Sequence, residues 1–157
     1  MPAAEVLARL NAEIAAWQSL HDILTEEERA LVDGDAERLA PLHTAMLQQL
    51  QAVSDHARNR VSDLQLAGYR PDRAGMAAWL AKLGQPELGA CWQRLGDLEQ
   101  QTQAINQRIG VLVDMRLGAT RQALNVLMHA AAGAAGGLYD TDGLAVGAST
   151  GKPLTAA

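Results

Sequence analysis

One helical pattern runs without a break from Pro86 to about Ala132, and it constrains the fold more than any other feature of the chain. Its first part carries a seam of apolar or small side chains at steps of three and four residues: Leu95, Leu98, Thr102 and Ile105. Such a narrow seam suits one neighbouring helix. From Ile109 onward the seam continues through Leu112, Ala119, Ala123 and Val126.

A second row joins the seam in this later part of the helix, and its members are Val113, Leu117, Thr120, Leu124 and Leu127. At 100° per residue it lies roughly a quarter turn around the helix from the seam. A helix that is apolar on several faces needs cover on several faces or a partner. The second row is therefore our first indication of function.

Composition favours a helical protein. Of the 157 residues, 48% are hydrophobic and none is Phe, so a core would be built mainly from Leu, Ala, Val and Ile. The net charge of -5 argues against nucleic-acid binding. A single cysteine, Cys91, excludes an internal disulfide. Without a signal-like segment or an apolar run of about 20 residues, we expect a soluble, cytoplasmic protein with no membrane insertion.

The pattern predicts helices over about 3–32, 35–66, 72–83 and 86–132. Gly34 and Asp35 favour a reversal followed by a new N-cap, and Asp72 favours a cap for the short helix. Pro41 leaves two alternatives, in which the second helix either kinks there or begins there. The predicted fold class is all-α: an elongated antiparallel helical bundle or coiled coil with two long N-terminal helices, a short third and a very long fourth.

We interpret residues 1–132 as one helical domain and 133–157 as a flexible, glycine-rich tail. The last helix, with about 45 residues, would be near 70 Å long, against about 45 Å for each of the first two. The length difference predicts that its apolar end overhangs them.

The chain offers no recognisable catalytic or metal-binding pattern. Its four histidines (His21, His43, His56 and His129) form no HExxH pair and have no carboxylate at convincing ligand spacing. The acidic run of residues 26–28 is typical of a solvated helix face. Cys91 is interpreted as a small core residue rather than a nucleophile. We therefore expect no enzyme, no cofactor and no metal.

The second row also has purely structural interpretations, as the core of a four-helix bundle or as the seam of a homodimer. Gly110 and Gly118 each cost a helix about 1 kcal/mol relative to alanine. They would mark either close approach of another helix or a place where the helix bends. Periodicity alone does not decide among these alternatives.

Three motifs, in this order along the chain, resemble the FlgN family of flagellar export chaperones. The first is the helix, Gly-Asp turn and helix around Leu31, Gly34, Asp35 and Leu39. The second runs from Asn106 through Gly110 to Val113, with a leucine-bearing continuation at residues 121–127, and it is similar to the family's Asn-x-x-Asn-Gly segment. The third is Leu138-Tyr139-Asp140-x-x-Gly143 in the tail. Ile109 replaces the second family asparagine, and Val111 stands where the family has a larger residue.

The resemblance implies a cytoplasmic, non-enzymatic chaperone of flagellar type III secretion, whose clients are the C-terminal amphipathic helices of hook-associated proteins. It assigns client binding to Ile109, Leu112, Val113, Leu117, Thr120, Leu124, Leu127 and Met128. It assigns docking on a component of the export gate to Tyr139, Asp140 and Gly143. Two alternatives stay open: a self-associating structural helical bundle with no client, and a homodimer of the client-free chaperone.

Overall fold

The computed structural model describes residues 1–135, with side chains through residue 131. This part of the chain contains four α-helices and no strand: α1 (Ala3–Asp33), α2 (Ala36–Leu66), α3 (Arg73–Leu83) and α4 (Pro86–Ala135). The predicted all-α fold class, with two long helices, a short one and a very long one, is confirmed. Helix α4 extends through Gly133, the residue at which the sequence predicts the start of the tail.

The helix boundaries follow the local signals in the sequence. Gly34 ends α1 with a φ of 70°, a left-handed conformation that glycine adopts without a steric cost. The Asp35 carboxylate then accepts a hydrogen bond from the Arg38 N–H and caps α2. Asp72 caps α3 in the same way, through the Gly75 N–H at 2.7 Å. Both predicted caps and the predicted reversal are therefore confirmed.

Pro41 lies inside α2, which begins five residues earlier at Ala36. The alternative in which the second helix begins at Pro41 is therefore wrong. Proline removes one backbone hydrogen bond and crowds the carbonyl of Glu37. The Asp35 cap, which satisfies an N–H in the first turn, offsets part of this cost.

By its internal contacts the chain divides into two units, Met1–Leu112 and Val113–Ala157. We call them unit 1 and unit 2. Unit 1 contains α1, α2, α3 and the first part of α4, whereas the described part of unit 2 is the rest of α4.

Within unit 1, α1 and α2 are antiparallel, because Arg9 bonds Asp63 near one end and Glu26 bonds Arg38 near the other. Helix α4 runs parallel to α1. The contacts of Asn11 with Cys91 and of Glu28 with Arg108 both join residues 80 positions apart. Helix α1 is thus the central helix of unit 1, and both α2 and α4 contact it.

Two apolar clusters form the core of unit 1. The first draws on all four helices, and its buried members are Val6, Leu10, Ile14, Leu64, Met76, Trp79, Leu80, Leu88, Leu95 and Leu98. The second joins α1, α2 and α4, and its buried members are Ala16, Leu20, Leu24, Leu31, Val53, Ile105 and Ile109. Only Val53 and Leu64 of α2 are buried, although the sequence has an apolar row along the whole helix.

Candidate functional site

The first part of α4 lies in the core of unit 1, as its seam predicted. All four seam residues, Leu95, Leu98, Thr102 and Ile105, are buried. The Thr102 hydroxyl is satisfied because it donates to the carbonyl of Leu98 at 2.6 Å. The one polar member of the seam therefore adds no unsatisfied group to the core.

A buried ion pair also connects α4 with its neighbours. Glu13 of α1, whose side chain is only 3% exposed, accepts three hydrogen bonds from the Arg60 guanidinium of α2. That guanidinium also lies 4.9 Å from the centre of the Trp92 ring on α4, within cation–π range. Arg60 thus bridges three helices, and without it the Glu13 carboxylate would be buried and uncompensated.

Glu99 of α4 belongs to the same polar region. Partial burial is the main cause that raises the pKa of Glu99 above its ordinary value of 4.5. Arg60 lowers this pKa, the negative charge of Glu13 raises it, and Arg73 lowers it. The geometry is that of a structural ion-pair network, and all of these groups lie in unit 1.

A second ion pair fixes α4 nearer to the end of unit 1. Arg108 donates two hydrogen bonds to the Glu28 carboxylate, at 2.7 and 3.3 Å. These bonds raise the pKa of the Arg108 guanidinium above its ordinary value. Glu28 interrupts the apolar spacing of α1, and the structure gives the reason, since it is a partner for α4 rather than a core position.

An apolar groove of about 620 Å³ lies beside this pair, and Val32, Ala104, Val111 and Leu112 are its apolar lining. The sequence pattern assigned Val32 no role, and Val111 was noted only as a departure from the family pattern. Val32 has a large exposed apolar side chain just before the turn at Gly34. An apolar residue next to a turn could have indicated this groove.

In unit 2 the apolar side chains of α4 are exposed. Relative exposure is 38% for Val113, 50% for Leu117, 51% for Leu124 and 66% for Leu127, and Thr120 is exposed as well. Met128, next to the second row, is partly buried. The Thr120 hydroxyl donates to the Arg116 carbonyl at 2.8 Å, so its hydrogen-bond donor is satisfied within the helix. The second row thus presents a mostly apolar strip.

The two other residues assigned to client binding lie in unit 1, in different surroundings. Ile109 is 7% exposed and belongs to the core cluster of α1, α2 and α4. Leu112 is partly buried against the same cluster. Ile109 thus has apolar neighbours within unit 1 and belongs to its core rather than to the exposed row.

Neither Gly110 nor Gly118 marks a close approach of another helix within the described part of the chain. A Cβ atom built on either residue would meet none of the described atoms outside its own helical turn within 4 Å. The close approach considered from the sequence is therefore not made by the described helices.

Three assigned residues, Tyr139, Asp140 and Gly143, lie outside the described residues, as does most of the segment predicted to be a flexible tail. Among residues 1–135, no group of three or more His, Cys, Asp or Glu side chains is arranged to hold a metal ion. None of the four described helices has the length and apolar character needed to cross a bilayer.

The comparison with protein families supplies the remaining evidence. The family model described as FlgN protein matches residues 1–147, which include all of the described chain. No curated protein and no solved structure gave a significant match to the sequence.

Proposed function

Because the chain belongs to the FlgN family of flagellar export chaperones, we propose that its client is the C-terminal amphipathic helix of a hook-associated protein. The client helix lies along the second row, with its apolar face on Val113, Leu117, Leu124 and Leu127. Met128 borders the contact. The observation that carries this proposal is the exposure of this apolar row within a family of chaperones.

The energetics of such a contact suit a chaperone. Burying roughly 600–800 Å² of apolar area would contribute about 15–20 kcal/mol before costs, at about 25 cal/mol per Å². Loss of association entropy and ordering of the client remove much of this, which leaves a Kd between about micromolar and nanomolar. This affinity prevents premature assembly of the client in the cytoplasm and still allows release without ATP.

Delivery to the export gate is the second part of the proposal. The tail motif at Tyr139, Asp140 and Gly143 would dock on a component of the gate while α4 holds the client. Its support is the resemblance of the motif to the family pattern. Such a two-site arrangement keeps cargo and gate within one complex.

The direct test mixes the full-length protein with the C-terminal segment of a hook-associated protein on a sizing column with light scattering. We expect a complex of defined mass. No complex, together with a free protein that is a stable dimer through residues 113–127, would instead support the self-associating structural protein.

The contact surface is tested by Leu117→Asp combined with Leu124→Asp. We expect client affinity to fall by at least about a hundredfold, because two apolar contacts become desolvated charges. Helicity should change little, since both side chains are exposed. The matched control is Met115→Asp with Val126→Asp, which replaces two exposed apolar residues of α4 outside the second row. Equal losses in both variants would contradict a binding face on the second row.

The docking role is tested by Tyr139→Ala. We expect unchanged affinity for the client segment and reduced secretion of the hook-associated protein in cells. Thr141→Ala, at a variable position of the same motif, is the control. Secretion at the wild-type level in the Tyr139→Ala variant would remove this residue from the gate-docking site.

A further inference from the structure

A second apolar groove lies on unit 1, where α1, α2 and α4 meet, and its volume is about 190 Å³. We call it the three-helix groove. Its lining residues are Trp17, Leu20 and Leu24 of α1, Met46 and Leu50 of α2, and Thr102, Gln103 and Asn106 of α4. None of these eight side chains is charged, although 20% of the residues in the chain are. A partner can therefore cover the groove without removing a charge from water.

The α2 side of the three-helix groove is incompletely covered by the chain itself. Leu50 is 44% exposed, and Leu47, three residues before it, is 54% exposed. Residues three apart on a helix lie on the same side. Leu20 and Leu24 of α1 are buried. The groove thus has a buried base and an exposed leucine rim, which is the form of a surface that a further helix packs against.

The second row of α4 has a spacing that matches the α2 side of this groove. From Val113 to Leu127 its five members follow steps of four, three, four and three residues. The same steps on α2 join Leu39, His43, Met46, Leu50 and Val53. Two helices that share this heptad spacing can pack along one another with interlocking side chains. The second row also has no charged member, so neither surface needs a counter-charge from the other.

We propose that the second row of one copy of this chain lies in the three-helix groove of a second copy, which returns the same contact. In the described chain the row is exposed, so it does not fill the groove of its own chain. A two-fold pair places each row against the groove of the other copy, and both contacts then use the same two surfaces. Each copy thereby covers the exposed apolar side chains of the other.

The reciprocal arrangement also accounts for the area that a stable dimer needs. If one row-in-groove contact buries roughly 600–800 Å², two such contacts together bury about 1,200–1,600 Å². Specific protein–protein interfaces generally exceed about 1,000 Å², which a single contact does not reach. The two-fold pair reaches it with surfaces that each copy already exposes.

The dimer covers the same row to which we assign the client, so a client helix must displace the second copy. This consequence rests on the client-binding function proposed above, whereas the dimer itself does not. A dimer weaker than the client complex keeps the row out of water when no client is present and gives it up when a client arrives. Addition of the client segment should therefore dissociate the dimer.

The test is sedimentation equilibrium of the full-length protein over concentrations from about 1 µM to about 200 µM. We expect a monomer–dimer equilibrium with a Kd on the order of 10 µM, weaker than the client complex because the client must displace the second copy. Since neither surface is charged, this Kd should change by less than about threefold between about 50 mM and about 0.5 M salt.

Single substitutions identify the two surfaces. Leu124→Asp in the row and Leu50→Asp in the groove should each weaken the dimer by at least about a hundredfold, because both contacts lose a leucine and bury a charge. Asn106→Glu places a charge at an exposed position of the groove, where folding does not depend on the side chain, and should also weaken the dimer. The matched control is Leu66→Asp, at an 84% exposed position of α2 outside the groove, which should leave the Kd unchanged. Circular dichroism verifies that each variant is folded.

A mixture of the Leu50→Asp and Leu124→Asp variants tests the reciprocal geometry. In the mixed pair, one contact joins an intact row to an intact groove, and the other contact has both substitutions. A contact that one buried charge has already opened loses little more from a second. The mixed pair should therefore associate at least about tenfold more tightly than either variant alone. A mixture that associates no more tightly would overturn the row-in-groove contact.

The remaining outcomes distinguish the dimer from the client-binding function. A free protein that stays monomeric over the whole concentration range overturns the dimer and leaves client binding in place. A dimer that is weakened by Leu124→Asp but by neither groove substitution has its two rows in contact, which overturns the groove as the binding surface. A dimer with the expected response to all variants and no complex with the client segment supports the row-in-groove contact and contradicts the proposed function.

Discussion

The two parts of α4 have the same spacing of apolar residues and opposite burial. Leu95, Leu98 and Ile105 of the seam are at most 6% exposed, whereas Leu117, Leu124 and Leu127 of the second row are at least 50% exposed. The difference lies in what surrounds them. The seam belongs to core clusters built with α1 and α2, and the second row belongs to none of the clusters in the described chain.

This contrast shows that a leucine repeat in a helix has two uses in one molecule. In unit 1 it supplies stability, because its side chains are removed from water when the chain folds. In unit 2 the same residue types stay exposed and contribute little to folding, and this exposure is the basis of the client-binding proposal. Mutations that separate stability from binding therefore test the contrast directly.

The largest effect is expected from Leu95→Ala, compared with Leu124→Ala. Leu95 is fully buried, so truncation should lower the free energy of unfolding by about 2–5 kcal/mol through lost burial and a cavity. Leu124→Ala should change it by less than about 0.5 kcal/mol because the side chain is already half exposed. Urea unfolding followed by circular dichroism measures both. A comparable loss in both variants would mean that the second row is core.

A smaller effect of opposite sign is expected at the two glycines of α4. Gly110→Ala should raise the free energy of unfolding by about 1 kcal/mol, because alanine favours the helix and its Cβ meets no neighbour. Gly118→Ala should mainly raise the helical signal at 222 nm, since the second row has no core around it. A client affinity reduced by Gly118→Ala would reveal close approach by the client helix, and a destabilised Gly110→Ala protein would contradict the open space around that residue.

The smallest effect concerns Glu99, whose pKa is raised in the folded protein, chiefly by burial. A raised pKa means that the folded state binds the proton more tightly than the unfolded state. The resulting stabilisation is present below pH 4.5 and is lost as the pH rises through the folded pKa. At pH 7, the Glu99→Gln variant should therefore be slightly more stable to urea than the wild type. Its free energy of unfolding should be higher by less than about 1 kcal/mol, because Glu99 is partly exposed.

The direction of the Glu99 pKa shift is tested by measuring the stability difference between the variant and the wild type as a function of pH. The advantage of Glu99→Gln should disappear toward pH 4, where the wild-type side chain is protonated. An advantage that grows as the pH falls would contradict a raised pKa.

Local chemistry made much of the fold predictable. The turn at Gly34, the caps at Asp35 and Asp72 and the four helices depend on neighbours close in sequence, and all of them were confirmed. The Pro41 region was harder, because α2 begins five residues before the proline, at Ala36, where Asp35 caps it. The apolar row of α2 indicates a longer buried face than the structure has, because only Val53 and Leu64 of this helix are buried.

The candidate surface was predictable in composition and less so in extent. The sequence placed Ile109 and Val113 in one client-binding set, but Ile109 is buried in the core and Val113 is exposed. Four residues separate them, about one helical turn, so periodicity gives them equivalent positions. Residues distant in sequence decide their burial, and a helical pattern carries no information about those neighbours.

By itself the sequence determined where the helices begin and end, which faces are apolar, and the motifs that place the chain in its family. These properties arise from capping, propensity and spacing within a few residues. Only the tertiary structure decided that the seam is core through Ile109 and that the second row is exposed. Burial depends on which helices lie alongside, and that is a property of the packed chain rather than of any one segment.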